Sequence, residues 1–199
     1  MDLENRIRAR LGLPLRLDPN VRHDFPTAAV MVVRRFVDES SLFEEPIPDF
    51  LAVARLNGMI GLPGGKVAWH ETPLEAALRE TTEETGIVVP LHAVHHLGCW
   101  LDGSEKKLPT FAFYCTLPAR EKPIDHPRQT EEKHPLSWAL EAALCDRHKA
   151  ECFAYNRKAI TALWRYRWRT DAGFGQGFDV KLWRDYRLRQ IGGEGSGDE

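Results

Sequence analysis

Between Gly64 and Ile87 the chain reads GGKVAWHETPLEAALRETTEETGI, a glycine turn feeding one short, strongly acidic helix. Thr72 can cap that helix. Pro73 suits its first position, where the missing N–H costs nothing, and Glu75 completes a Thr-x-x-Glu capping box. Gly86 can adopt the left-handed conformation that ends a helix, and Ile87-Val88-Val89 then favours a strand. At about 100° per residue, Leu74, Ala77, Leu78, Thr81 and Thr85 form the stripe that should meet a core. Glu80, Glu83 and Glu84 lie together beside it. Carboxylates at i, i+3 and i+4 repel one another by roughly a few tenths of a kcal/mol per pair on a solvated helix, and by more where water is excluded.

Such a cluster calls for positive charge. Donors that are all oxygen, with no clustered Cys or His, point to a hard cation, Mg²⁺ first with Mn²⁺ or Ca²⁺ behind it. The competing reading is a solvated acidic face supported by an i, i+4 pair between Glu75 and Arg79. The preceding residues, Leu62-Pro63-Gly64-Gly65-Lys66, form a turn whose backbone can approach a ligand, with N–H groups for phosphate oxygens and carbonyls for a metal.

The combined spacing is specific: Gly65, five residues, Glu71, seven residues, Arg79-Glu80, then Glu83-Glu84, Gly86 and Ile87. It resembles the Nudix box, departing from it only in Thr81 at a position otherwise apolar, where threonine can still pack through its methyl group. The resemblance spans residues 27–144, strictly in the box and loosely in the flanks. It implies an α/β fold, an α/β/α sandwich with a mixed sheet, the box helix on one side and another helix on the other. It also implies Mg²⁺-dependent hydrolysis of a nucleoside diphosphate linked to another moiety, by attack of water on phosphorus, with Mn²⁺ able to substitute. Glu80 and Glu84, about one turn apart, are then direct metal ligands, and Glu83 is a further ligand or the base that orients water. Gly64 or Gly65 adds a main-chain carbonyl, Glu71 acts through water, and Arg79 holds a box carboxylate in place. Gly65 and Lys66 face the substrate. Trp69 either stacks on a base or packs beside the turn. Some members use a carboxylate in the loop before the final strand, where Glu131 and Glu132 stand here; otherwise these are surface charges.

The remaining chain reads as scaffold or pocket. Residues 1–26 form an extension in which Leu3, Ile7 and Leu11 mark a short amphipathic helix. Residues 27–145 are the hydrolase domain, with strands expected over 28–33, 50–55, 87–89, 95–101 and 109–115, the last central. Residues 38–49 and 118–135 read as polar loops, and Ser137 to Leu144 resembles the Nudix pattern of a tryptophan leading into a short helix after the last core strand. Residues 146–191 form a helical extension, with helices expected around 153–168 and 183–188. From Tyr155 to Gln190, nine Lys or Arg stand against three Asp, a local +6 interleaved with Trp164, Tyr166, Trp168, Trp183 and Tyr186. This stretch packs on the domain, covers the pocket, pairs a homodimer, or contacts an RNA end. Residues 192–199, without apolar side chains, are expected to be disordered.

A net charge of −2 argues against general nucleic-acid affinity. Cys99, Cys115, Cys145 and Cys152 lack CxxC spacing and the start lacks an apolar signal region, so a reducing cytoplasm is expected. No apolar run is long enough to span a bilayer. His92, His95 and His96 read as surface or half-buried residues. A small nucleotide, a nucleotide sugar and an oxidised nucleoside triphosphate remain open as substrates. The alternatives are RNA 5′-end pyrophosphohydrolysis and a non-catalytic nucleotide sensor.

Overall fold

The apolar run Ala28-Ala29-Val30-Met31-Val32-Val33 continues through Arg34-Arg35-Phe36 as β1 (Ala28–Phe36), the strand on which the sheet is built. The structure, a computed structural model, describes residues 2–36, 48–55, 59–101, 108–117, 133–140, 144–146, 148 and 153–170. In chain order these form α1 (Leu3–Arg10), β1, β2 (Pro48–Arg55), β3 (Ile60–Gly61), β4 (Gly64–Lys66), α2 (Pro73–Thr85), a 3₁₀ turn (Leu91–Ala93), β5 (His95–Leu101), β6 (Pro109–Thr116), β7 (Lys133–Leu140) and α3 (Phe153–Thr170).

The described strands make one mixed seven-stranded sheet. β1 runs parallel to β6 from the pair Ala28 and Thr110 to the pair Arg34 and Thr116, and β5 lies antiparallel on the far side of β6. The other edge of β1 is divided. Ala28 to Val30 pair with β4, whereas Arg34 to Phe36 pair with β2. The Met31 amide bridges the gap by donating to the Pro63 carbonyl at 2.9 Å. β2 also takes β3 and, on its opposite edge, β7.

Side chains alternate across this sheet with the period of two that a strand imposes. Ala29, Met31, Val33, Leu51, Phe111, Phe113 and Cys115 share one apolar cluster with Ala76 and Ala77 of α2 and with Leu15. On the opposite face the Tyr155 hydroxyl of α3 donates to the Thr110 carbonyl at 3.0 Å, and its ring meets Trp100 edge-on at 6.4 Å and 72°. Helices therefore cover both faces, as an α/β/α sandwich requires. Pro109 to Cys115 are all buried, which fits a strand covered on both faces and flanked by β1 and β5; the strand is interior, while the middle of the strand order is β1. The chain divides into two units, residues 1–162 and 163–199.

Two segments differ from their local pattern. Residues 87–89 are not in the sheet: Ile87 and Val89 enter the core at 6% exposure each while Val88 stays exposed, so an extended stretch serves the core without pairing. Ser137 to Leu140 belong to β7, with Trp138 opposite Leu51, so the helix expected after the tryptophan does not begin before residue 141, and Leu144 is helical. Pro135 and Leu136 together face the single residue Val53, a bulge that accommodates a residue without an N–H. The acidic loop expected over 38–49 and the polar loop over 118–135 lie mostly outside the described residues, although Pro48, Asp49 and residues 133–135 are strand. Residues 141–143, 183–188 and 192–199 also lie outside them.

Cys99 and Cys115 are buried and not in disulfides, and burial raises both thiol pKa values, that of Cys115 to about 12. His92, His95 and His96 are exposed, His95 against Tyr114 and His96 against Phe111 and Phe113. Among the described residues no helix is long and apolar enough to cross a membrane.

Helix α1 forms, but inverted. Its large apolar residues face outward, with Leu3, Ile7 and Leu11 exposed by 72%, 49% and 68%, while the polar Asn5 is 2% exposed and Ala9 packs against the core. The Asn5 Oδ1 accepts the Arg16 N–H at 2.7 Å, and its amide donates to Asp2 and to the Arg16 carbonyl. Replacing Asn5 by an apolar residue would remove these bonds from a part-buried site, at a cost of about 1 kcal/mol or more. Asn5→Leu should therefore lower the urea midpoint clearly, whereas Ile7→Ser should stay within about 0.5 kcal/mol of wild type.

Candidate active site

Helix α2 begins and ends as its sequence demands. The Glu75 N–H donates to Thr72 Oγ1, the Thr72 N–H donates to the Glu75 carboxylate at 2.7 Å, and Gly86 closes the helix in the left-handed conformation at φ 68°. Thr81, the departure from an apolar pattern, is fully buried and donates its hydroxyl to the Ala77 carbonyl at 2.7 Å. Thr82 and Thr85 bond back to the carbonyls of Leu78 and Thr81 in the same manner, so these hydroxyls are satisfied without leaving the helix.

Two glycines of β4 press against the carboxylate face. The Gly64 N–H donates to Glu84 Oε2 at 3.0 Å, giving a carboxylate that is 4% exposed a charge-assisted bond. At Gly64 the backbone has φ +153°, and a Cβ there would lie 2.3 Å from the Ala29 carbonyl oxygen. At Gly65 a Cβ would lie 2.5 Å from Glu80 Oε1, so the Glu80 carboxyl rests on bare main chain. The strand that β1 holds thus fixes the positions of both helix carboxylates.

Arg79 gathers the rest. Its Nε and Nη2 bind Glu71 in a fork at 3.0 and 2.7 Å, while Nη1 donates to Glu80 Oε1 at 2.9 Å and to Glu83 Oε2 at 3.1 Å. Nη2 also reaches the Lys66 carbonyl at 3.4 Å, and the Lys66 residue itself is exposed. The i, i+4 pair anticipated with Glu75 gives way to these bonds, because the Glu75 carboxylate is taken by the helix cap. Burial alone would raise the pKa of Glu71, but the bonds from Arg79 and the Ala68 N–H outweigh it and hold that carboxyl below its ordinary value. The bonds to Glu71 raise Arg79 in turn.

Glu71 has a second task that its place in the sequence did not reveal. Its N–H donates to the Ala68 carbonyl at 3.2 Å and its Oε1 accepts the Ala68 N–H at 2.7 Å, closing a four-residue turn from both directions. Trp69 and His70 occupy the two central positions. Trp69 is 88% exposed and meets His70 edge-on at 5.6 Å and 78°, so it does not pack beneath the turn.

The donor set suits a hard divalent ion. Its side-chain donors are carboxylate oxygens, and those of Glu80 and Glu83 already converge on one cationic nitrogen. No group of three His, Cys, Asp or Glu converges closely enough to hold a metal ion among the described residues, since Arg79 and the Gly64 amide engage these carboxylates separately. Binding an ion would therefore exchange the Nη1 bonds for metal bonds. Glu131 and Glu132 lie outside the described residues.

Two consequences can be measured. Gly64→Ala strikes backbone at a strained φ and should cost several kcal/mol of stability, or prevent folding. Gly65→Ala strikes only the mobile end of Glu80 and should fold while displacing that carboxylate. Glu71 has a depressed folded pKa, so its contribution to stability is present above the unfolded value of 4.5 and is lost as pH falls through the folded one. In EDTA, the stability gap between wild type and Glu71→Gln should be widest near neutrality and close in acid, as followed by urea midpoints across pH.

The NUDIX domain family matches residues 25–163. Among solved structures, a mutT/nudix family protein from Listeria innocua is 20% identical with a TM-score of 0.52, covering 75% of this chain and 100% of that one. The Nudix hydrolase RenU from M. smegmatis is 18% identical with a TM-score of 0.50, covering 70% and 86%. A MutT/nudix family protein from Enterococcus faecalis is 18% identical with a TM-score of 0.47, covering 69% of this chain and 51%, about half the length, of that protein. No curated protein matches. The family match takes in the sheet, α2 and its carboxylates together: the chain belongs to the NUDIX domain family and has the fold of the Nudix hydrolases it is similar to.

Proposed function

We infer that this Nudix hydrolase cleaves the diphosphate linkage of a nucleoside diphosphate joined to another moiety, using Mg²⁺, with Mn²⁺ as a substitute. The observation that carries this reading is the gathering of Glu71, Glu80 and Glu83 on the Arg79 guanidinium, with Glu84 held on the Gly64 amide beside them. A fold has little structural reason to crowd acid around one arginine on a half-covered helix, since surface ion pairs stabilise by only about 0–1 kcal/mol. Attracting a divalent ion and the anion that follows it is a sufficient reason.

Glu80 and Glu84 are the carboxylates assigned to hold the ion, with a main-chain carbonyl from Gly64. When bound, the ion would neutralise diphosphate oxygens and favour hydroxide over water. Glu83, half-exposed at the end of the Arg79 fork, can accept the proton of the attacking water or add a ligand. Arg79 does not address substrate in this scheme. Its fork on Glu71 keeps the guanidinium in place when the Nη1 bonds are given up, so the carboxylates can turn to the ion without the helix shifting. Gly65 allows a phosphate to approach the main chain, and Lys66, exposed on the same strand, offers it an ammonium. Glu131 and Glu132, ahead of β7, are the reserve carboxylates for the proton transfer.

The test is turnover of a panel of nucleoside diphosphate sugars, dinucleoside polyphosphates, oxidised nucleoside triphosphates and a 5′-triphosphorylated RNA, with Mg²⁺ and then in EDTA. Wild type should hydrolyse at least one class only with metal. Glu83→Gln and Glu84→Gln should each lower kcat by about 10²-fold or more while keeping the far-ultraviolet circular dichroism of wild type. Saturable binding of metal and nucleotide without turnover of any member would instead identify a sensor.

A further inference from the structure

Trp69 and His70 are the two central residues of the turn that Glu71 closes, and both are exposed. Tryptophan gives up several kcal/mol of burial when left in water, at roughly 25 cal/mol per Å² of apolar surface. A lone exposed apolar side chain on a frayed loop would need no explanation. This turn is different, because it is pinned at every step. The Val67 N–H donates to the Thr27 carbonyl at 3.0 Å, the Ala68 N–H donates to Glu71, the Glu71 N–H returns to Ala68, and Arg79 ties both Glu71 and the Lys66 carbonyl to α2. The indole is thus presented on a braced support, with little ordering left for a ligand to impose.

The same bonds place the turn that carries the two rings beside the acidic site. Glu71, which closes the turn, is one fork from Arg79, and Arg79 is one hydrogen bond from each of Glu80 and Glu83. A ligand whose anionic part lies at those carboxylates, through an ion, and whose flat part must lie nearby would find in Trp69 a large π-face at the rim. Resting on the hydrolase reading above, we propose that Trp69, steadied edge-on by His70, is a stacking platform for the nucleobase of the substrate. The site thereby selects diphosphates that carry a base over those that do not. Stacking is tolerant of base identity, because every base has a π-face, so the platform favours nucleosides as a class and not one base.

The experiment compares two ligands on folded, Mg²⁺-loaded wild type, Trp69→Ala, Trp69→Phe and His70→Ala. One ligand is a nucleoside diphosphate analogue with a methylene bridge, and the other is methylenediphosphonate, which has no base. Equilibrium binding is measured by calorimetry. Trp69→Ala should weaken the nucleoside analogue roughly ten- to a hundredfold. Trp69→Phe should retain most of the affinity, and methylenediphosphonate should bind all four proteins alike. For a substrate found in the turnover panel, Trp69→Ala should raise KM with little change in kcat. Equal affinity of wild type and Trp69→Ala for the nucleoside analogue would overturn the platform, even if turnover is intact. An equal loss for both ligands would also overturn it, by reducing Trp69 to a support for the turn. Loss confined to the nucleoside analogue, in a protein that turns over nothing, would leave the platform standing and remove the hydrolase reading.

Discussion

The repulsion among four carboxylates, answered by one guanidinium and by the backbone amides of Gly64 and Ala68, is the constraint from which the local architecture follows. Arg79 spends its fork on Glu71 and its remaining nitrogen on Glu80 and Glu83, which leaves Glu84 to be met by main chain. The amide that meets it belongs to Gly64, and Gly64 is available because β4 borders one half of β1 while β2 borders the other. An undivided pairing of β1 with β2 would occupy the edge where this amide donor now sits. The split in the sheet and the charge balance of the helix are therefore one arrangement.

The other side of α2 is governed by burial. Ala76, Ala77, Thr81 and Thr85 press on the sheet with almost no exposure, and small residues allow the helix to approach β1 and β4 closely. Threonine at two of those places would burden an apolar core with hydroxyls, yet each one bonds to a carbonyl four residues back and presents its methyl outward. Close packing on one side gives the carboxylates on the other a rigid base. Electrostatic work at a site depends on donors that do not have to rearrange.

Much of this could be read from the residues because it is encoded locally. The cap at Thr72, the stop at Gly86 and the shared face of Glu80, Glu83 and Glu84 are matters of spacing along one helix. The enclosed, interior place of Pro109 to Cys115 follows from a nearly continuous apolar run. What could not be read depends on which strand finds which partner. Ile87 to Val89 has strand composition but enters the core beside the sheet, and Ser137 to Leu140, at the head of the stretch expected to lead into a helix, pair with β2. In α1 the apolar spacing announced a helix but not its orientation, because a buried Asn5 bonded to Arg16 outweighs the stripe. At the site, the convergence of Glu71 on Arg79 could not be deduced from eight residues of separation, since it depends on the course of the loop between them.

Glu71 joins two devices that a molecule of this size could have kept apart: it clamps the projecting bend and it anchors the cation that organises the acidic helix. Because the bend is fastened by the backbone of Ala68 and by the carboxyl of Glu71, and not by the rings it displays, those two rings can be exchanged without loosening anything beneath them. If those rings are the base platform proposed above, a single acidic residue uncouples recognition from chemistry, and the platform can change by drift at two neighbouring codons alone.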